Sequence, residues 1–175
     1  HFGRLAMTLP LDKVTATVER QVKKLADLAT EEGAALHHVK PHGALYHQAG
    51  RDPLLAKAVI EGIKKVSTDL ILFAQPGTAL AKEAEAAGLT VCTEGFADRR
   101  YRDDGSLMPR GEPGAVIKDV ETAVAQAMEI ASSGRMETLC VHGDGATATE
   151  ILTALRDRLG EAGLTVRRKL RDGSE

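Results

Sequence analysis

Short apolar runs alternate along this chain with longer segments of helical period, and that alternation restricts the fold more than any other feature. Val18, Val22, Leu25 and Leu28 repeat at helical spacing, which predicts a helix over 15–31 closed by Gly33, with Glu19 and Lys23 as an i,i+4 pair. A strand follows over 35–39. A second helix is predicted over 53–66, with Asp52 as N-cap and Pro53 at the first helical position. Further strands are expected over 70–73, 89–92, 138–141 and 164–169, and further helices over 78–87, 117–132 and 146–159. Five strands separated by helices predict an α/β fold with a parallel sheet. Hydrophobic residues are 43% of 175, enough for one domain with a real core. Aromatics are only 3% and Trp is absent, so Ala, Val, Leu and Ile must fill that core. The stretch 94–113 carries too many Gly, Pro and charged residues to belong to it.

Charge and cysteine content exclude several classes. Twenty-three Lys and Arg face 25 Asp and Glu, a net charge of -2, and nucleic-acid binding would call for a basic excess or stripe. The densest basic cluster, Arg167, Arg168, Lys169 and Arg171, lies in a polar last stretch and reads as a solvated edge. No apolar run reaches the length of a membrane span, and no signal peptide is visible. Cys92 and Cys140 are too few for a disulfide framework, which makes a reducing cytoplasm the expected setting. The chain starts His1-Phe2-Gly3-Arg4 without Met, and we expect a preceding N-terminal part.

Function in parallel β/α folds gathers where strands end, because the βα loops build that face. Four strand ends here carry polar residues: Lys40 and His42; Gln75 and Gly77; Glu94, Asp98 and Arg99; His142, Gly143 and Asp144. In Lys40-Pro41-His42-Gly43, Pro41 and Gly43 shape a turn, while Lys40 supplies a cation and His42 a proton-transfer group. A helix-entry loop with a solvated lysine and a capping histidine fits the same spacing. His142 and Asp144 form either an acid/base pair or two ligands of a metal; alternatively Asp144 caps the helix that follows. Arg99 and Arg110 suit an anion, since a guanidinium forks onto carboxylate or phosphate, and an internal salt bridge is the alternative for each. His37 and His38 are expected to divide, one packed and one facing the opposite layer. There is no phosphate-binding Gly-rich loop, nucleophile elbow or zinc-spaced Cys/His set.

Lys40-Pro41-His42-Gly43-Ala44-Leu45-Tyr46, Glu94-Gly95-Phe96-Ala97-Asp98-Arg99, Tyr101 with Asp104-Gly105, and Cys140-Val141-His142-Gly143-Asp144 resemble, in order and spacing, the motifs of the LamB/YcsF family, the A subunit of bacterial 5-oxoprolinase. The resemblance covers nearly the whole chain. It implies a single domain over 1–175, a seven-stranded β/α barrel of the glycoside hydrolase/deacetylase kind, incomplete here because the family's N-terminal part precedes Phe2. It also implies ATP-dependent opening of 5-oxoproline to glutamate, with Mg2+ accompanying the nucleotide and with partner subunits B and C. Under this resemblance Lys40 stabilises phosphate or an oxyanion, His42 and His142 transfer protons, and Asp144 orients a histidine or a metal. Glu94, Asp98, Arg99, Tyr46 and Arg110 bind substrate or phosphate, the arginines at its anionic groups, with Glu94 and Asp98 also the alternative bases. Two other classes stay open: a metal-dependent hydrolase or deacetylase, with His142 and Asp144 among its ligands, and a noncatalytic partner subunit. Sheet edges left by the missing strands invite pairing between copies, a homo-oligomer.

Overall fold

A computed structural model of the chain describes residues 3–169, and these fall into two compact units, one ending at Thr93 and the other running from Glu94 to Lys169. The first unit starts with helix α1 (Leu11–Glu31), longer at its N-terminus than the periodicity indicates because Pro10 accepts the first helical N–H groups. Val14, Val18 and Val22 recur every fourth residue and are buried. Leu25 and Leu28, expected to continue that stripe, are 57% and 47% exposed. Lys23 pairs with Asp27, while Glu19 reaches Lys65.

Strand β1 (His38–Val39) is shorter than expected, and β2 (Ile71–Ala74) lies parallel beside it, with His38 opposite Ile71. Helix α2 (Ala44–Arg51) starts directly from the Lys-Pro-His-Gly turn, an element that the hydrophobic pattern did not predict. Helix α3 (Pro53–Lys64) follows as expected: the Asp52 carboxylate accepts the Leu54 and Leu55 N–H groups, and Pro53 occupies the first turn, where its missing N–H costs nothing. Helix α4 (Ala79–Ala86) is capped by Thr78. Val14, Val18, Val59, Ile63, Leu72 and Leu80 meet in one apolar core, the aliphatic filling that the composition requires. The first half of β3 (Val91–Phe96) completes this unit by pairing in parallel with β2.

The second unit contains the other half of β3, whose Glu94, Gly95 and Phe96 pair in parallel with β4 (Thr138–Cys140). The strand therefore runs on through Glu94, Gly95 and Phe96, which the sequence assigned to a polar loop. Glu94, Phe96, Ala97, Asp98 and Arg99 are all buried. A small hairpin follows, with Tyr101 bridged to Leu107 around a turn in which Asp104 accepts the Ser106 N–H. Helix α5 (Val120–Ser132), capped by Asp119, and helix α6 (Ala148–Glu161) bury Val124, Ala127, Leu155 and Leu159 together. Residues 164–169, expected to be a fifth strand, form none; Val166 there is 81% exposed. Four parallel strands remain among the described residues, in the order β1-β2-β3-β4. His1, Phe2 and Arg171 lie outside the described residues.

Candidate active site

In the first unit the turn after β1 is held by a backbone contact that only glycine permits. Gly43 has φ 62° and ψ -128°, and a Cβ on it would lie 2.5 Å from the Gly3 carbonyl oxygen. The Ala44 N–H next to it donates to that same oxygen at 2.7 Å. Pro41 is buried and His42 exposed, so the turn presents the imidazole while burying the ring before it. Lys40 Nζ lies 5.7 Å from the centroid of the Tyr46 ring, within reach of a cation–π contact. Tyr46, on α2, is 6% exposed. Lys40 and Tyr46 are thus brought together. His37 and His38 do not divide between two layers: their Nδ1 atoms are 3.2 Å apart, and His38 stacks on Phe73 at 4.2 Å. Gln75, at the end of β2, gives its carbonyl to the Thr78 hydroxyl at the start of α4.

In the second unit the central feature is a buried carboxylate engaged twice by one histidine. Asp98, 5% exposed, accepts the backbone N–H of His142 at 2.9 Å, and His142 Nδ1 lies 2.8 and 3.1 Å from its two oxygens. Burial acts to raise the Asp98 pKa, but the hydrogen bonds from the His142 ring and backbone, together with attraction to the ring, overcome it and hold the carboxyl below its ordinary value. Asp98 is therefore ionised near neutral pH and can only accept. Nδ1 must carry the proton, which leaves Nε2 as the basic nitrogen of the neutral ring. The Phe96 ring stacks on the imidazole at 5.7 Å and 18°, which fixes its plane.

The partner expected for His142 was Asp144, and this is corrected. Asp144 Oδ1 accepts from Arg110 at 2.7 Å, a pair left 38–39% exposed. Asp144 is not a helix cap either, since α6 starts at Ala148 with Thr147 as its N-cap residue. Arg110 takes the internal salt bridge that was the alternative to anion binding. Arg99 is 3% exposed and donates from Nη2 to the Met108 carbonyl, with no hydrogen-bond partner for Nε among the described residues. Burial and then the nearby Arg110 charge lower its pKa, yet a guanidinium stays charged at any physiological pH. Glu94 is 2% exposed. Burial first, and also the Glu94 carboxylate, push the Tyr101 hydroxyl up, so it is a neutral phenol that accepts the Phe96 N–H at 2.7 Å.

Sequence reasoning missed Gln126, whose side-chain amide reaches the carbonyls of Phe96, Ala97 and Arg99. A single Gln on an amphipathic helix carries no signal that could have found it. Among the described residues no group of three or more His, Cys, Asp or Glu side chains is placed to hold a metal ion. Nor is any described helix long and apolar enough to cross a membrane.

The arrangement invites comparison with known proteins. Over residues 1–173 the chain matches the model of the LamB/YcsF family. It is 43% identical to the 5-oxoprolinase A subunit of Symbiobacterium thermophilum and 41% identical to that of Methylococcus capsulatus, in each case over 94% of this chain and 68% of the relative. The crystal structure of a lactam utilization protein from Thermus thermophilus superposes with a TM-score of 0.87 at 39% identity, covering 94% of this chain and 70% of that one. With its motifs, its strand order and these relatives in agreement, the chain belongs to the LamB/YcsF family.

Proposed function

We propose that this chain acts as the A subunit of an ATP-dependent 5-oxoprolinase, opening the lactam of 5-oxoproline to L-glutamate with release of ADP and phosphate. The names of its relatives support the reaction class, and the Asp98–His142 pair is the observation that carries a catalytic role for this chain. A five-membered lactam resists direct attack by water. Transfer of the γ-phosphoryl group of ATP to the carbonyl oxygen gives an activated C–O–phosphate carbon. Water then adds to that carbon, the C–N bond breaks as the ring nitrogen takes a proton, and the acyl phosphate so formed is attacked by a second water, which leaves the carboxylate and releases inorganic phosphate. Such a path calls for a base that removes the water proton and an acid that returns one to nitrogen.

His142 fits both tasks, because Asp98 holds its proton on Nδ1 and leaves Nε2 to accept one and later give it back. Asp98 is then the orienting carboxylate, a task first given to Asp144, and its lowered pKa makes it a poor base in its own right. Lys40 supplies positive charge for the phosphate or the oxyanion, and His42 is a second proton carrier. Arg110, half-exposed, suits the substrate carboxylate if that group displaces Asp144. Mg2+ accompanies ATP in most phosphoryl transfers. Among the described residues the donor set does not fit a resident metal, with Asp98 engaged by His142 and Asp144 by Arg110.

We take partner subunits B and C to complete the enzyme, and residues 1–175 to form part of one β/α-barrel domain of the seven-stranded kind; parallel strand pairing supports the latter. The test is reconstitution with both partner subunits, 5-oxoproline and ATP. Replacing His142 with Ala should lower glutamate release roughly 10²- to 10⁴-fold, the usual worth of an acid/base group, and Lys40→Ala should also abolish it. Full turnover by folded His142→Ala would falsify the catalytic role and favour a noncatalytic role within the complex.

A further inference from the structure

We infer that Gln126, a residue of α5, is a positioning residue that holds the Asp98 carboxylate against His142. Its Nε2 lies 2.8 Å from the Phe96 carbonyl, 3.1 Å from that of Ala97 and 2.8 Å from that of Arg99, so one amide group ties the backbone on both sides of Asp98. All three partners are acceptors, so only the NH2 end of the side chain can face them. Asp98 sits where β3 has ended, and its backbone has left the strand ladder. The Ala97 N–H reaches the Cys140 carbonyl at 3.0 Å, and the Asp98 carbonyl accepts the Ile117 N–H at 2.9 Å. The two hydrogens of the Gln126 NH2 are shared among the carbonyls of Phe96, Ala97 and Arg99 around it. Its helix is a firm base for this, since Val124 and Ala127 on either side of it are buried against Leu155 and Leu159 of α6. A turn fixed at both flanks lets Asp98 keep its 2.8 and 2.9 Å contacts to His142 without spending freedom each time the ring takes or gives a proton.

This inference rests on the proposed role of His142, and the two can fail separately. The experiment is 15N and 1H NMR of the histidine rings in the whole chain, with turnover measured in the reconstituted complex. In the wild-type chain the His142 Nδ1–H proton should resonate as a single hydrogen-bonded species. Gln126→Met, close in shape but unable to donate, should broaden or lose that resonance and lower kcat roughly 10- to 100-fold with little change in KM. Gln126→Glu should do the same, since a carboxylate cannot donate, whereas Gln126→Lys keeps donors and should restore part of both. An unchanged Nδ1–H resonance in folded Gln126→Met overturns the positioning role, whatever happens to turnover. If that variant does not fold, the wild-type side-chain amide decides: slow hydrogen exchange of the Gln126 NH2 supports the role, and exchange as fast as in a free amide overturns it. Retained turnover in His142→Ala removes the role of His142 and leaves the amide measurement standing.

Discussion

Replacing Asp98 with Asn removes a charge from the centre of the second unit and changes no heavy-atom count, which makes it the sharpest probe of the site. The carboxylate accepts two hydrogen bonds from His142, from the backbone N–H at 2.9 Å and from Nδ1 at 2.8 Å. An Asn can offer one oxygen to the backbone N–H, but its NH2 then faces Nδ1. Two donors cannot share that contact, so the ring must move its proton to Nε2 or turn away. One hydrogen bond to a charged group is lost, worth roughly 1.5–3 kcal/mol. For a chain of this length each kcal/mol shifts Tm by about 2–4 °C, so Tm should fall by roughly 3–12 °C at pH 7. The pH dependence gives a second check. The folded pKa of Asp98 lies below its ordinary value of 3.8, so the folded chain binds fewer protons at this group than the unfolded one. The stability it contributes is complete well above pH 3.8 and is lost as pH falls through the lower folded value. The gap between wild type and Asp98→Asn should hold from pH 7 to about pH 5 and close only below pH 3.8, as followed by urea unfolding with circular dichroism. Equal Tm values at pH 7, or a gap that survives unchanged at the lowest pH where both fold, would refute the assignment of an ionised, doubly engaged carboxylate.

Gly43→Ala should destabilise the first unit by at least roughly 1–3 kcal/mol, because φ 62° with ψ -128° strains any L side chain and the new Cβ meets the Gly3 carbonyl; thermal melts of the variant check this, and an unchanged Tm contradicts it. Gly95→Ala places a Cβ 2.8 Å from Ile130 Cγ2 and 3.2 Å from Met136 Cγ, an overpacking cost of about 1–3 kcal/mol. Adding Ile130→Ala should give a double variant more stable than the sum of the two single losses, and strict additivity in urea titrations would rule out that clash. The Arg110–Asp144 pair is half-exposed, so a double-mutant cycle with Ala at both positions should show a coupling of at most about 1 kcal/mol, shrinking in roughly 1 M salt. A salt-insensitive coupling well above that would mean the pair is shielded from water.

The placement of the candidate residues was legible because strand ends can be read from local pattern. Lys40, His42, His142 and Asp144 all follow predicted strands closely. What could not be read was the choice of partner. Glu94, Asp98, Asp103, Asp104 and Glu112 are equivalent acids to a reader of the sequence, and nothing local says that one is buried against a histidine 44 positions later. Asp144, two residues from His142, was the nearest candidate along the chain. In the folded protein Arg110 takes it instead, 34 residues back.

The sequence by itself determined the alternation of strands and helices, the capping of α3 by Asp52 and the position of the Lys-Pro-His-Gly turn. Those features depend on residue spacing, on hydrogen bonds that close within a few residues, on a Pro whose fixed φ suits a first helical turn, and on a positive φ that favours Gly43. Tertiary structure alone decided that Leu25 and Leu28 stay exposed, that β3 continues through Glu94 to Phe96, and that 164–169 makes no strand. It also decided that Gln126 and Asp98, far apart along the chain, secure His142. These outcomes depend on which surfaces remain to be covered and which donors reach a buried acceptor once α5, β3 and β4 have packed. Local periodicity carries no record of that.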